Sequence, residues 1–210
     1  MPASKIPAAP RAARLRKVEN ILLEAEGQFA RCGFEGVSLD SIATALGVSR
    51  QNLLYYYASK EELYRAVLNN VLKSWLESMD ELARQDDPQT AIRNYVLAKL
   101  RFSQERPLGS AVFTREVIGG AVHFSDILAK SVIPRLRADV RTFDRWARQG
   151  KIARVDFTHL MFVIWSTTQA YADLATQFAL FMGKPKLEDR DFTAAHELIS
   201  SMVLKTLQPQ

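Results

Sequence analysis

The chain has 210 residues, of which 48% are hydrophobic, and a formal net charge of +5. This length and composition fit a globular protein with a buried core and exclude a disordered chain. A single cysteine, Cys32, excludes an internal disulfide and favours a reducing, cytoplasmic environment. The three histidines lie far apart in the sequence, so we predict no metal site and no cofactor. The longest apolar stretch, 157–182, contains several polar side chains, and no membrane span is expected.

The N-terminal segment 1–17 contains five cations and no acid, whereas residues 18–65 contain four cations and seven acids. Its prolines, Pro2, Pro7 and Pro10, oppose a helix. We therefore predict that 1–17 is a disordered basic arm that becomes ordered on a polyanion. A transit peptide has a similar composition and is the alternative interpretation.

Every periodic segment has the 3.6-residue spacing of a helix, which predicts an all-α fold of about nine helices. Helices are expected at about 14–32, 39–46, 50–57, 60–83, 88–107, 108–121, 124–149, 157–182 and 191–207. Ser38 and Ser49 are suitable N-caps for the second and third of these, and Gly47 ends the second. We predict a helix-turn-helix DNA-binding domain over residues 18–60 and a ligand-binding and dimerisation domain over residues 61–210.

Two short helices joined by a glycine turn, with apolar residues at 39, 42, 46, 48, 53, 54 and 57, match a helix-turn-helix. Leu53, Leu54 and Tyr57 share one face of the third helix and are expected in the core. Lys60 and Ser38 lie near helix starts, where free N–H groups help to bind phosphate. The candidate DNA contacts are Ser38, Ser49, Arg50, Gln51, Asn52, Tyr55, Tyr56 and Lys60.

These candidates have distinct expected roles. Arg50, at a helix start, has the side chain that reads guanine with two hydrogen bonds, and Gln51 or Asn52 could read adenine. The hydroxyls of Tyr55 and Tyr56 could donate to phosphate oxygens while their rings pack on sugar or thymine methyl groups. The alternative is that this is only a solvated polar face.

The stretch 21–68, with FxxxGFxGVSLDSIAxxxGVSxxNLLYYYxSKEELY inside it, resembles the DNA-binding domain of TetR-family transcription regulators. The segments VLNNVLKSWLESM (67–79) and HLMFVIWSTTQAYADLATQ (159–177) resemble the subgroup of pyrimidine-utilisation regulators. The resemblance implies a homodimer, a double-stranded DNA operator with two-fold symmetry, and a ligand cavity. In that subgroup a tryptophan and a glutamine hold a uracil-like effector, and they match Trp75 and Gln169.

The residues around these two positions leave alternatives open. Trp75 lies on an apolar stripe and could equally be a core residue. Gln169 needs a partner, which could be a ligand, water or another subunit. Trp165, one turn before Gln169, is expected on the same wall, and Glu116 is a further candidate ligand-binding residue. Arg115 would favour an anionic effector if it faced the cavity, but it could instead pair with Glu116 or with Asp126 at the surface.

The leading hypothesis is therefore a homodimeric repressor, associated with the nucleoid, that responds to a pyrimidine or one of its breakdown products. Dimerisation is expected through the last two helices, which carry small residues at 170, 172, 175, 194, 195, 200 and 201. One alternative is a DNA-binding protein without an effector. An enzyme using Glu116, His123 or Lys99 is the other, and no nucleophile–base pair or phosphate loop supports it.

Overall fold

A computed structural model of the chain describes residues 8–77, 82 and 85–209. Those residues form ten α-helices and no strand, which confirms the all-α class. The helices are α1 (Ala8–Cys32), α2 (Leu39–Ala45), α3 (Arg50–Leu54), α4 (Lys60–Glu77), α5 (Pro88–Glu105), α6 (Pro107–Ile118), α7 (Ser125–Arg148), α8 (Phe157–Asp173), α9 (Ala175–Phe181) and α10 (Asp189–Thr206). Contacts divide the chain into two compact units between Val71 and Leu72, inside α4, whereas we had expected the boundary after residue 60.

Helix α1 starts at Ala8, earlier than the sequence predicted. Pro10 lies in its first turn, where a helix does not need the missing backbone N–H, so the proline does not prevent the helix. The prediction of disorder is therefore wrong for residues 8–17. The rest of the predicted arm, residues 1–7, lies outside the described residues.

The first unit has a core built from one face of each of its helices. Ile21 and Phe29 of α1, Ile42 of α2, Leu53 of α3 and Leu63 of α4 are all almost completely buried. These positions follow the apolar periodicity of the sequence, because each helix hides one stripe and exposes the rest.

Helix α3 ends at Leu54, and Tyr55 is its C-cap, so the helix is shorter than predicted. Tyr57 consequently lies just after the turn that follows α3, where it is half-buried. The prediction that Tyr57 lies in the core is therefore wrong. Its partial burial, and secondarily the charge of Glu62, raises the pKa of the Tyr57 phenol.

The second unit is organised around α5, which packs against α8 and α10, while α6 packs against α8. Tyr95 and Val96 of α5 and Met161 of α8 are fully buried in this core. The segment expected as one helix over 157–182 is two helices. They are separated at Leu174, whose backbone angles (φ −111°, ψ 16°) depart from helical values.

The helices predicted to form a dimer interface expose large apolar side chains rather than a stripe of small ones. Ala195 and Ser200, two of the small residues assigned to that interface, are buried inside the chain itself, so their assignment is wrong. The exposed apolar side chains of α8, α9 and α10 are Phe162, Val163, Leu180, Phe181, Leu198 and Met202.

Within the described ranges, no helix combines the length and apolar character needed to cross a membrane. The same residues contain no group of three or more His, Cys, Asp or Glu side chains arranged to hold a metal ion.

Candidate functional site

Serine side chains cap both short helices of the first unit. Ser38 Oγ accepts from the Ser41 N–H at 3.0 Å, while Ser41 Oγ accepts from the Ser38 N–H at 3.3 Å. Ser49 Oγ accepts from the Asn52 N–H at 3.1 Å. The predicted caps are therefore confirmed, and the hydroxyls of Ser38 and Ser49 still have their own protons with which to donate to a phosphate oxygen.

The turn after α3 presents aromatic and polar side chains to solvent. Tyr55 is 72% exposed, and its ring meets that of Tyr56 edge to face with centroids 5.2 Å apart. Lys17 Nζ lies 5.8 Å from the Tyr56 ring centroid. Gln51 is exposed, whereas Asn52 is half-buried, and its Oδ1 is buried without a hydrogen-bond partner among the described residues. Gln51 is thus better placed than Asn52 to reach a base edge.

Arg50 is exposed at the start of α3 and forms an ion pair with Asp40 of α2. Arg50 Nη1 lies 2.9 Å from Asp40 Oδ2, and the two side chains are 58% and 61% exposed. The carboxylate restrains an otherwise flexible guanidinium group at the edge of the helix-turn-helix.

Lys60 begins α4, as predicted for a phosphate contact, but its ammonium group is engaged within the chain. Its ammonium group donates to the backbone oxygen of Phe34 at 3.0 Å and lies 4.2 Å from the centroid of the Phe34 ring. The side chain is half-buried and joins the start of α4 to the turn before α2. A phosphate would therefore have to share the ammonium group with this carbonyl, and the assignment of Lys60 to DNA stays a prediction.

The second unit contains a cavity of about 530 Å³ between α6, α7 and α8, with Trp75 of α4 in its wall. Its apolar lining comes mainly from α6 and α7. Three of the four predicted ligand residues line it, namely Trp75, Trp165 and Gln169. The full set is Trp75, Phe113, Thr114, Val117, Ile118, Ala121, Ser125, Leu128, Ala129, Val132, Ile133, Trp165, Ser166, Gln169 and Asp173.

One end of the cavity is polar, because two side chains of α6 meet two of α8. Ser110 Oγ donates to Asp173 Oδ1 at 3.0 Å, and Thr114 Oγ1 donates to Asp173 Oδ2 at 2.8 Å. The Gln169 amide nitrogen donates to Ser110 Oγ, and it lies 3.0 Å from Thr114 Oγ1 and 3.5 Å from Asp173 Oδ1. We call Ser110, Thr114, Gln169 and Asp173 the polar cluster.

Buried polar groups hold the two indole rings of the wall. Trp75 and Trp165 meet edge to face with centroids 5.0 Å apart, and Trp165 Nε1–H donates to the Tyr95 hydroxyl at 2.6 Å. Lys99 Nζ lies 3.5 Å from the Trp75 ring centroid and donates to the Trp75 backbone oxygen at 3.2 Å.

Burial lowers the pKa of Lys99 well below its ordinary value, and the charge of Asp139 opposes that shift. Burial, reinforced by Asp139, raises the pKa of Tyr95 well above its ordinary value.

Two side chains expected near the ligand lie elsewhere. Arg115 is exposed and is not part of the cavity lining, so the reason for an anionic effector is lost. Glu116 is buried, but its carboxylate accepts from the His123 N–H at 2.7 Å and lies 3.3 Å from His123 Nδ1. It does not line the cavity, so the cavity gives its assignment as a ligand-binding residue no support. Both follow Thr114 on α6, and rotation of about 100° per residue turns them off the face that Thr114 presents.

Sequence reasoning missed the other members of the polar cluster. Asp173 lies one turn after Gln169, and Thr114 lies one turn after Ser110, so each pair shares a helix face. This spacing could have added Asp173 to the candidates, but no pattern in the sequence shows that α6 faces α8.

Comparison with known proteins identifies the class of protein that combines a helix-turn-helix unit with a second unit containing a cavity. Residues 21–67 match the bacterial regulatory proteins of the tetR family, and residues 68–210 match the C-terminal region of YcdC-like proteins. The chain belongs to the TetR family. This TetR-family protein is 34% identical over 194 residues to the HTH-type transcriptional regulator RutR of Escherichia coli (strain K12), covering 92% of each chain. The family and this relative are transcription regulators, not enzymes.

Solved structures share the fold at lower identity. A TetR family transcription regulator from Marinobacter aquaeolei VT8 has a TM-score of 0.71 at 21% identity, covering 95% of this chain and 100% of its own. The ketosteroid transcriptional regulator KstR2 of Mycobacterium tuberculosis has a TM-score of 0.74 at 16% identity, covering 92% and 96%. These likenesses show that this chain shares its fold with the two regulators.

Proposed function

We propose that this TetR-family regulator is a repressor that binds a palindromic operator as a homodimer and is released by a small nitrogenous metabolite, such as a pyrimidine or its breakdown product. The observation that carries the proposal is the pairing of a solvent-exposed recognition edge in one unit with a cavity containing Trp75 and Gln169 in the other. Both features are attached to α4, which begins after the helix-turn-helix and contains Trp75.

For DNA, the proposal assigns sequence reading to Arg50 and Gln51 at the start of α3, where both are exposed. Tyr55 and Tyr56, with the capping hydroxyls of Ser38 and Ser49, contact phosphates and set the register on the duplex. A dimer would present two such edges, which must be about 34 to 36 Å apart to enter successive major grooves.

For the effector, the proposal assigns ring contacts to Trp75 and Trp165 and hydrogen bonds to Gln169. A ligand that favours one position of Trp75 shifts the population of α4 positions, and with it the separation of the recognition helices. The ligand changes that equilibrium only by the difference between its affinities for the two states.

The experiment is a binding selection from random DNA, followed by gel shifts of the selected operator with and without candidate metabolites. We expect a palindromic site, a two-to-one ratio of protein chains to DNA, and release by at least one nitrogenous compound. Wild-type protein with no preference over bulk DNA would end the proposal. An operator that no ligand releases would instead support the constitutive alternative.

A further inference from the structure

We propose that the cavity binds a protonated amine carried on an apolar or aromatic body, and that the Asp173 carboxylate and the Gln169 carbonyl oxygen hold the ammonium group. This inference rests on the proposed function, since it names the effector class of the same cavity. It replaces the anionic effector that Arg115 had suggested.

The charge of the lining is the first reason. Among the described residues that line the cavity there is no Lys, Arg or His, and the one ionisable side chain is Asp173. A carboxylate or phosphate ligand would leave water without meeting a cation, and it would approach a like charge. Lys99, the buried residue whose ammonium group lies over the Trp75 ring, does not line the cavity. The negative charge of Asp139 also acts on the positive charge of Lys99.

The hydrogen bonds of the polar cluster are the second reason. The hydroxyl protons of Ser110 and Thr114 are already donated to the two oxygens of Asp173. All three contacts of the Gln169 amide are made by its nitrogen. The polar cluster can therefore still accept hydrogen bonds from a ligand, because a carboxylate has about four lone-pair sites and the Gln169 amide has its carbonyl oxygen. A ligand head that fits here must donate, and an ammonium group has three N–H donors.

The cluster is also held in place before a ligand arrives. Ser110 is completely buried, and its bond to Asp173 fastens the carboxylate to the contact between α6 and α8. Phe113, Val117 and Leu128 supply apolar walls beyond it, and the cavity volume of about 530 Å³ is within the usual range for small-molecule sites.

Three probes of nearly the same shape separate the possibilities: 2-phenylethylamine, 2-phenylethanol and 3-phenylpropionate. Their binding to the full chain without DNA is measured by calorimetry and by tryptophan fluorescence, because Trp75 and Trp165 line the cavity. We expect the amine to bind about tenfold tighter than the alcohol, the gain typical of a charge-assisted hydrogen bond, and the carboxylate to bind weakest. A carboxylate or alcohol that binds as tightly as the amine, or an amine that does not bind, overturns the inference.

Asp173→Asn removes the charge at nearly constant shape. It is expected to remove the preference for the amine over the alcohol, because both heads then meet a neutral amide. Asp144→Asn is the control, since it removes one negative charge from α7 outside the cavity lining. An unchanged amine preference in Asp173→Asn overturns the inference, and if this variant does not fold, the wild-type probe series decides.

The outcome for the proposed function is read separately, on DNA. Binding of uracil but of no amine overturns the inference while leaving a ligand-responsive regulator. Tight amine binding together with no sequence-specific operator supports the inference and rejects the proposed function.

Discussion

Arg50 is held by Asp40 at an Nη1–Oδ2 distance of 2.9 Å before any DNA is present. Ion pairs this exposed contribute only about 0–1 kcal/mol to folding. The main effect of the pair is therefore on orientation: it limits the conformations of the guanidinium group, and a base edge must compete with the carboxylate for it. By limiting those conformations, Asp40 acts as a positioning residue for Arg50.

Arg50→Ala is expected to relax operator preference at one base pair by about 1–3 kcal/mol, because one bidentate contact to guanine is lost. Asp40→Asn should weaken discrimination at that same base pair while strengthening binding to bulk DNA, since it removes a negative charge beside the recognition edge. Competition gel shifts on single-base operator variants measure both. If Arg50→Ala lowers affinity equally for every sequence, the assignment of base reading is wrong.

Tyr55→Phe should weaken binding to all DNA sequences about equally, by about 0.5–1.5 kcal/mol, because a hydroxyl bound to phosphate carries no sequence information. Tyr55 is 72% exposed, so the change should leave folding intact. Tyr57→Phe is the matched control, and it should not change DNA affinity because Tyr57 is not among the candidate DNA contacts and lies beyond the end of α3. A sequence-dependent effect of Tyr55→Phe would contradict a phosphate contact.

At the scale of elements, α6 and α8 meet through polar side chains as well as through the core. The bonds from Ser110 and Thr114 to Asp173 join the two helices at the end of the cavity. A ligand that engages the polar cluster therefore acts on both helices at once. This arrangement lets one bound head group influence the packing of two elements.

Gln169→Leu should abolish the effector response while operator affinity stays close to wild type, because the amide lies in the cavity lining and not in the helix-turn-helix. Effector titrations against the labelled operator measure the response. Gln149→Leu, at the exposed end of α7, is the control and should respond normally. Loss of dimerisation in Gln169→Leu would place the amide at a subunit interface instead.

Helix α5 has an N-cap whose contribution should depend on pH. Asp87 Oδ2 accepts from the Thr90 N–H at 2.9 Å and from Thr90 Oγ1 at 2.6 Å. The bond from the Thr90 hydroxyl, and next that from its backbone N–H, lowers the pKa of Asp87 below 3.8. The stabilisation is therefore present above pH 3.8 and is lost as the pH falls through the lower folded-state value.

Asp87→Ala should accordingly lower the free energy of unfolding at pH 7 by about 1 kcal/mol. The difference from wild type should shrink as the pH falls below 3.8. Urea unfolding at several pH values measures this difference. Asp86→Ala removes the neighbouring exposed carboxylate, which caps no helix, and should change stability little. A cost for Asp87→Ala that does not depend on pH would contradict a capping carboxylate.

At the scale of the whole molecule, α8, α9 and α10 expose large apolar side chains that a single chain leaves in water. Leu180 is 71% exposed, Phe181 is 75% exposed and Leu198 is 60% exposed. Covering such side chains with a second copy would bury apolar surface, and a two-fold interface would use the same patch on both copies.

Met202→Glu, on α10, should therefore shift the protein from dimer to monomer and weaken operator binding strongly, because a monomer reaches only one half-site. Met202 is 56% exposed in the single chain, so the change should not disturb its core. Val122→Glu introduces the same charge at an exposed apolar position outside these helices and should remain dimeric. Analytical ultracentrifugation measures the mass, and a dimeric Met202→Glu would exclude its part of α10 from the interface.

Much of the local structure could be predicted from the sequence because its causes are local. Ser38 and Ser49 were expected as caps and cap their helices, and Gly47, which follows α2, has the positive φ of 64° that glycine adopts without strain. The end of α3 was harder to predict, since Tyr55 and Tyr56 fit a longer helix equally well. The break at Leu174 likewise has no proline or glycine to mark it.

Resemblance to a known subgroup marked Trp75 and Gln169 as candidate ligand contacts, and Trp165 was added from its position one turn before Gln169. The sequence by itself determined the all-α class and the helix-turn-helix. These features depend on periodicity and on turn residues, which act over a few positions. Only the tertiary structure decided that Lys60 is engaged by the Phe34 carbonyl, that Glu116 accepts from His123, and that Asp173 is the cavity's charge. Those outcomes depend on which groups distant in the chain come within hydrogen-bond range, and helix periodicity does not contain that information.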